Sequence, residues 1–277
     1  MKYSGIIQKL KDCKADSPQS EAFLLLEHFF GVKPADVLAY PERNYTSAAL
    51  DSALIRRALG EPVQYITGIA GFYGLKFKVN KSCLIPRFDT EVLCDFLIKK
   101  LPAGARVLEF CTGSGCIPIA IAKNRADVTL KSIELYSDTV KTAEENRKLN
   151  GIPPSQLEIV CADALMYDCS GEEGVYDAVI SNPPYIPSKA VPSLSREVLF
   201  EPRAALDGGR DGLDFYRQFL SFSEVLKPGG FFAFEIGYDQ GESITELAAK
   251  AGFKCRLLHD LEKRDRAAVI EKSSGKQ

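Results

Sequence analysis

Short apolar runs recur from about residue 90 onward, each bounded by turn residues and separated by helical stripes. No other feature limits the fold of this 277-residue chain as much. The runs lie at 106–110, 129–134, 157–161, 176–181 and 231–236. Helical spacing appears at 92–97, 117–122 and 139–149, the last stopped by Asn150-Gly151. Strand–helix alternation of this kind predicts a doubly wound α/β sheet with mostly parallel strands. Two final runs, 253–258 and 266–271, are joined too closely for a helical crossover, so the last strand is expected to be antiparallel. Upstream the pattern is different. Ser17-Pro18 reads as a helix start and Gly31 as its stop, and a second helix is expected from about 46 to 59, ending at Gly60. Leu75, Phe77 and Val79 alternate with lysines after Tyr73-Gly74, which is hairpin periodicity. The division expected is a small helical bundle over 1–70, a hairpin linker over 71–86 and the α/β domain over 87–277.

Composition narrows the function class. Thirty-five Lys+Arg against 37 Asp+Glu give a net charge of −2, which argues against a broad basic surface for holding nucleic acid. No apolar run reaches the roughly 18 residues needed to span a bilayer. The start also lacks the apolar core of a secretory signal, so a cytoplasmic protein without a membrane role is expected. The eight cysteines include no Cys-x-x-Cys pair, and His28 and His259 stand far apart. No metal site is expected, and the thiols read as small buried hydrophobes.

In an open α/β sheet, ligands sit beyond the carboxyl ends of the strands. The first strand runs into Glu109-Phe110-Cys111-Thr112-Gly113-Ser114-Gly115. Gly113 and Gly115 allow a tight turn, and the following helix offers its N-terminal N–H groups. The dinucleotide fingerprint fails because its third glycine position falls on Pro118, and no Gly-Lys-Ser/Thr of a P-loop follows. Glu109 would repel a pyrophosphate but could accept from an ammonium. Glu134 ends the second strand about 20 residues past the glycines, where a ribose-binding carboxylate belongs. Asp163 follows the third strand, placed to accept from an adenine amino group. A ribose, an adenine and a cationic amino-acid tail describe S-adenosylmethionine better than NAD.

The fourth strand runs directly into Asn182-Pro183-Pro184-Tyr185. The prolines remove two donors and hold the chain extended. The Asn182 carboxamide oxygen and the Pro183 carbonyl can each accept one N–H of a planar –NH₂ group, and Tyr185 offers a ring to stack on it. The stretch from 185 to 213, rich in Pro, Ser and charge, is long enough to read as a wall around a substrate.

These residues resemble those of S-adenosylmethionine-dependent amino-group methyltransferases. The tetrapeptide is shared by N6-adenine DNA, N2-guanine RNA and N5-glutamine methylases, and the flanking segments separate them. Glu61-Pro62-Val63-Gln64-Tyr65-Ile66-x-Gly68, Phe72-Tyr73-Gly74 and Leu84-Ile85-Pro86-Arg87-x-Asp89-Thr90-Glu91 are similar to the glutamine-N5 methyltransferases of peptide-chain release factors. So are Glu201-Pro202-x-x-Ala205-Leu206-x-Gly208-Gly209-x-Asp211-Gly212 and Glu235-Ile236-Gly237-x-x-Gln240-Gly241. The resemblance implies a Rossmann-like methyltransferase domain with a small N-terminal helical domain that docks the substrate. It implies class I release factors as partners, methylated at the Gly-Gly-Gln glutamine. S-adenosylhomocysteine would be the product, with no metal, no direct nucleic-acid partner and a monomeric enzyme. Catalytic positions would be Asn182, Pro183, Pro184 and Tyr185. The cofactor set would be Arg87, Glu109, Cys111, Thr112, Gly113, Ser114, Gly115, Glu134, Asp163, Ala164 and Asn182. Three positions depart from the family pattern. Cys111 replaces a usual Gly and is expected to narrow the approach to the methionine tail. Glu109-Phe110 replaces Asp-Leu, so the longer carboxylate would act directly or through water. Phe88 replaces a usual Pro and is expected to loosen its turn.

Overall fold

A computed structural model of the chain describes residues 1–272. It divides into two compact units, one formed by Met1–Ile69 with Leu194–Phe200, the other by Ala70–Ser193 and the chain from Glu201 onward.

The first unit holds five helices: α1 (Tyr3–Asp12), α2 (Pro18–Phe30), α3 (Pro34–Ala39), α4 (Ala48–Ala58) and α5 (Val63–Thr67). Ile6, Leu10, Leu25, Leu26, Leu50 and Leu54 converge in its core. Pro18 opens α2 as expected, but the Ser17 side chain makes no cap hydrogen bond. Gly31 ends the helix in the left-handed region, with φ 64°. In α4 the cap is Ser47, whose Oγ accepts from the N–H of Ala49 and Leu50 at 3.1 and 3.3 Å. Arg57 is 1% exposed. Its guanidinium donates to Glu21 at 2.6 and 3.0 Å and also to Glu197, which is how the segment 194–200 joins this unit.

The second unit begins at Ala70, one residue into a hairpin formed by β1 (Ile69–Phe72) and β2 (Leu75–Lys78). It is part of this unit's core rather than a linker. Phe72 and Phe77 are buried among Leu93, Leu97 and Ile121. Asn146 accepts from the Lys78 N–H at 2.6 Å and donates to the Lys78 carbonyl at 2.9 Å. There follow α6 (Glu91–Lys100), β3 (Arg106–Phe110), α7 (Cys116–Asn124), β4 (Thr129–Glu134), α8 (Ser137–Leu149), β5 (Leu157–Cys161) and β6 (Tyr176–Ser181). After a long connection come α9 (Asp214–Ser221), β7 (Leu226–Glu235), α10 (Gly241–Lys250), β8 (Phe253–His259) and β9 (Asp265–Lys272). The seven-stranded sheet has the order β5-β4-β3-β6-β7-β9-β8. β3 pairs in parallel with both β4 and β6, while β9 runs antiparallel to both β7 and β8. The expected doubly wound sheet with an antiparallel last strand is therefore observed. Both sheet faces are covered by apolar cores, one including Val107, Ile119 and Ile180, the other Leu108, Phe110 and Phe234. A sheet covered on both faces needs strands that are apolar on both sides, which is why these runs are continuous rather than alternating.

Strand order reverses at β3, where β4 and β6 lie on opposite sides. That point, beyond the carboxyl ends of the strands, is where such sheets open a crevice.

Candidate active site

The turn after β3 alternates left-handed residues. Cys111 has φ 61°, Gly113 56° and Gly115 80°. Glycine adopts this region without cost, whereas Cys111 carries a Cβ there and is strained. A Cβ on Gly115 would stand 3.1 Å from Ile119 Cδ1 and 3.4 Å from Ala143 Cβ, so this glycine serves close helix packing and does not line the cavity. The turn is pinned from outside by Asn146, which donates to the Ser114 carbonyl at 2.9 Å.

Glu109, near the end of β3, is not part of the cavity lining. It is 1% exposed. Its Oε2 accepts from the Thr112 hydroxyl and, at 2.6 Å, from Ser132 Oγ. Burial pushes its carboxyl up to about 7 against the opposing pull of these two hydroxyls. Through these two hydroxyls Glu109 ties the turn to β4, and acceptance from an ammonium, directly or through water, stands as an expectation.

The other two acids face the crevice. Glu134 Oε2 accepts from the Gly113 N–H at 3.0 Å and Oε1 from the Tyr136 N–H at 3.1 Å. Burial raises its carboxyl, opposed by these backbone donors. The Leu135 N–H is also directed at this carboxylate, and of its roughly four acceptor positions about one remains for a ligand hydroxyl. Asp163 Oδ1 accepts from the Leu165 N–H at 2.8 Å, which fixes the carboxylate at the start of its turn.

A cavity of about 320 Å³ occupies the crevice, within the usual ~300–1,000 Å³ of small-molecule sites. Arg87, Cys111, Thr112, Gly113, Ser114, Glu134, Asp163, Ala164 and Asn182 line it, together with Pro184. Glu109, Gly115, Pro183 and Tyr185 are not on its wall. The half-buried Tyr185 ring packs against the apolar core that contains Tyr216 and Phe234. Sequence reasoning missed Thr90, Leu135, Tyr136 and Phe215, which also line the cavity. Tyr136, two residues past the ribose-type acid, was the one with a positional signal.

Asn182 follows β6, whose last residue, Ser181, donates its hydroxyl to the Phe110 carbonyl at 2.7 Å. Asn182 Nδ2 points at Thr90 Oγ1, 3.4 Å away, which leaves the carboxamide oxygen as its available acceptor. The long connection contributes Pro202, Ala204, Ala205 and Asp207 to the wall. Its Glu201 accepts from the Ile85 N–H at 3.0 Å and from Arg87. Arg87 is thereby held by a protein carboxylate at the cavity edge. Phe88, 79% exposed, heads a short 3₁₀ turn over Phe88–Thr90, so the position without proline still turns. Among the described residues, no group of three or more His, Cys, Asp or Glu could hold a metal ion, and no helix is long and apolar enough to cross a membrane.

Comparison with known proteins places these features. A family model described as the PrmC N-terminal domain matches residues 4–68, and one described as the methyltransferase small domain matches residues 88–213. The release factor glutamine methyltransferase of Caulobacter vibrioides is 38% identical over 94% of this chain and 92% of its own. The protein of the same description from Moorella thermoacetica is 36% identical over 89% and 88%. Among solved structures, a methyltransferase from Pyrococcus furiosus superposes with a TM-score of 0.53 at 19% identity. That match covers 73% of this chain and 90% of the other and establishes a shared fold.

Proposed function

The chain belongs to the release factor glutamine methyltransferase family, and from that premise we propose how it works. It transfers a methyl group from S-adenosylmethionine to the side-chain amide nitrogen of the Gly-Gly-Gln glutamine in class I release factors, in the cytoplasm. The observation that carries the reading is the Asn182 carboxamide. It stands on the wall of the same cavity as Glu134 and Asp163, with its –NH₂ turned to Thr90.

The donor set fits the cofactor. The Glu134 carboxylate, on the cavity wall with acceptor capacity to spare, suits a ribose hydroxyl, and Asp163 suits an adenine amino group. Ala164, Leu165 and Leu135 give the base apolar neighbours. When bound, S-adenosylmethionine supplies a methyl group on an electrophilic sulfonium. The work of the chain is to hold a weak nucleophile in line with it. An amide nitrogen is weak because its lone pair is delocalised into the carbonyl, and attack requires it to pyramidalise. The Asn182 oxygen on the cavity wall accepts one amide N–H, and the family resemblance assigns the other to the carbonyl of Pro183, which is not itself in the lining. Both contacts strengthen as positive charge develops on nitrogen, which then gives up one proton to water. Orientation lowers the barrier further. Tyr185 lies half-buried against the apolar core, and its stacking on the substrate amide is part of the same proposal.

The test uses methyl-labelled S-adenosylmethionine with purified release factor, DNA and RNA. Label is expected in the release factor alone and is lost when its Gly-Gly-Gln glutamine is replaced. Label in nucleic acid instead would overturn the function. Asn182→Ala is expected to slow single-turnover transfer by about 10²–10³-fold, the usual cost of one preorganised polar contact. A near-normal rate would overturn the site assignment.

A further inference from the structure

Two consecutive prolines leave the tetrapeptide after β6 short of anchors. Pro183 and Pro184 have no N–H to give to a neighbouring strand. The segment must therefore be held through its carbonyls, by donors that come from elsewhere in the fold.

Gln240 is such a donor. It sits at the N-terminus of α10 and is 8% exposed. Its Nε2 donates to the Tyr185 carbonyl at 3.0 Å and to the Gly212 carbonyl at 3.3 Å. Its Oε1 accepts from the Gly237 N–H at 2.9 Å. One carboxamide thus joins the turn after β7, the tetrapeptide and the long connection. The chemistry is demanding. A carboxylate has no donor, an ammonium has no acceptor, and asparagine is one methylene shorter.

The long connection completes the clamp. Ile186 donates to the Leu206 carbonyl and Gly208 to the Ile186 carbonyl, each at 2.9 Å, and Ser188 donates to the Gly209 carbonyl at 2.8 Å. The backbones approach closely. A Cβ on Gly208 would stand 2.7 Å from the Pro184 oxygen, and one on Gly212 2.3 Å from the Tyr185 oxygen.

We propose that Gln240 is a positioning residue for methyl transfer: by holding the Tyr185 carbonyl against the glycine strap, its carboxamide sets where the Asn182 and Pro183 oxygens meet the substrate amide. This rests on the reading of Asn182 and Pro183 as acceptors given above. Gln240 is not on the cavity wall, so it acts through the tetrapeptide and not on the cofactor.

The experiment compares the full-length Gln240→Met, Gln240→Glu and Asn182→Ala variants with the unmodified protein. It measures kcat and KM for the release factor, together with the affinity and stoichiometry of S-adenosylmethionine binding by calorimetry. Methionine matches glutamine in length without hydrogen bonding, and glutamate keeps the acceptor while losing both donors. Both Gln240 variants are expected to lose about 30–100-fold in kcat per cofactor-binding site, the scale of a misplacement of about 1 Å. Cofactor affinity is expected to stay within about threefold. A kcat that falls only in proportion to lost binding sites would mean a merely structural role and overturn the proposal. So would unchanged turnover by Gln240→Met alongside an inactive Asn182→Ala. Normal turnover by Asn182→Ala would instead overturn the reading on which the proposal rests.

Discussion

Glu109→Gln changes one atom and isolates one charge. In the unmodified protein the carboxyl is displaced from 4.5 to about 7 by burial, despite the Ser132 and Thr112 hydroxyls. At about 1.4 kcal/mol per pH unit, that displacement is worth about 3 kcal/mol. The sign follows from proton binding. Between pH 4.5 and 7 the folded state holds the proton and the unfolded state has lost it, so stability falls as pH rises through this window. Above about 7 the decline stops, with a buried carboxylate in place. Glutamine has no such dependence, while its amide oxygen can still accept from both hydroxyls. The stability of the unmodified protein relative to Glu109→Gln is therefore expected to drop by about 3 kcal/mol from pH 4.5 to pH 8. For a domain of this size that is a relative melting shift of about 6–12 °C, read by circular dichroism at matched ionic strength. Comparing the two proteins at each pH cancels the other titrating groups. Melting curves that stay parallel across pH 5–8 would refute the reasoning.

Two further outcomes test other features. At Cys111, φ 61° penalises any Cβ, so Cys111→Gly is expected to be more stable than Cys111→Ala by about 1 kcal/mol. In most of a sheet or helix the order would be reversed, and finding alanine ahead would deny the left-handed backbone. Arg57→Ala leaves the Glu21 and Glu197 carboxylates without their shared cation. A loss of about 3–5 kcal/mol is expected, seen as faster amide hydrogen exchange in α2, in α4 and over 194–200. Unchanged protection there would show that the ion pair contributes little.

The sheet was legible because its strands are buried on both faces, so each reads as an uninterrupted apolar run. The glycine turn, Glu134 and Asn182 were legible because each stands immediately after such a run. Glu109 stands inside one, and its fate depended on a neighbour 23 positions away. Ser132 is its register partner on β4, and strand pairing of that kind is not written in either segment alone. The hairpin was readable as a hairpin but not as core, since its attachment runs through Asn146, far along the chain. α1 was missed for lack of a capping side chain and because it buries only Ile6 and Leu10. The cavity wall at 202–207 belongs to a connection without periodicity. Its position is set by backbone contacts at Gly208 and Gly212 that only glycine permits.

The position of β9 has a consequence for how this protein is made. It is the last strand described, yet it lies between β7 and β8 instead of at an edge. Chains usually begin folding during synthesis, which proceeds at about 5–20 residues per second. Here the sheet cannot close until residues 265–272 have left the ribosome. Until then β7 and β8 each carry a row of unpaired backbone groups, with Phe232 and Phe234 beside one of them. The α/β unit is thus obliged to finish folding after translation has passed β9, and the nascent chain is most exposed to wrong partners in that interval.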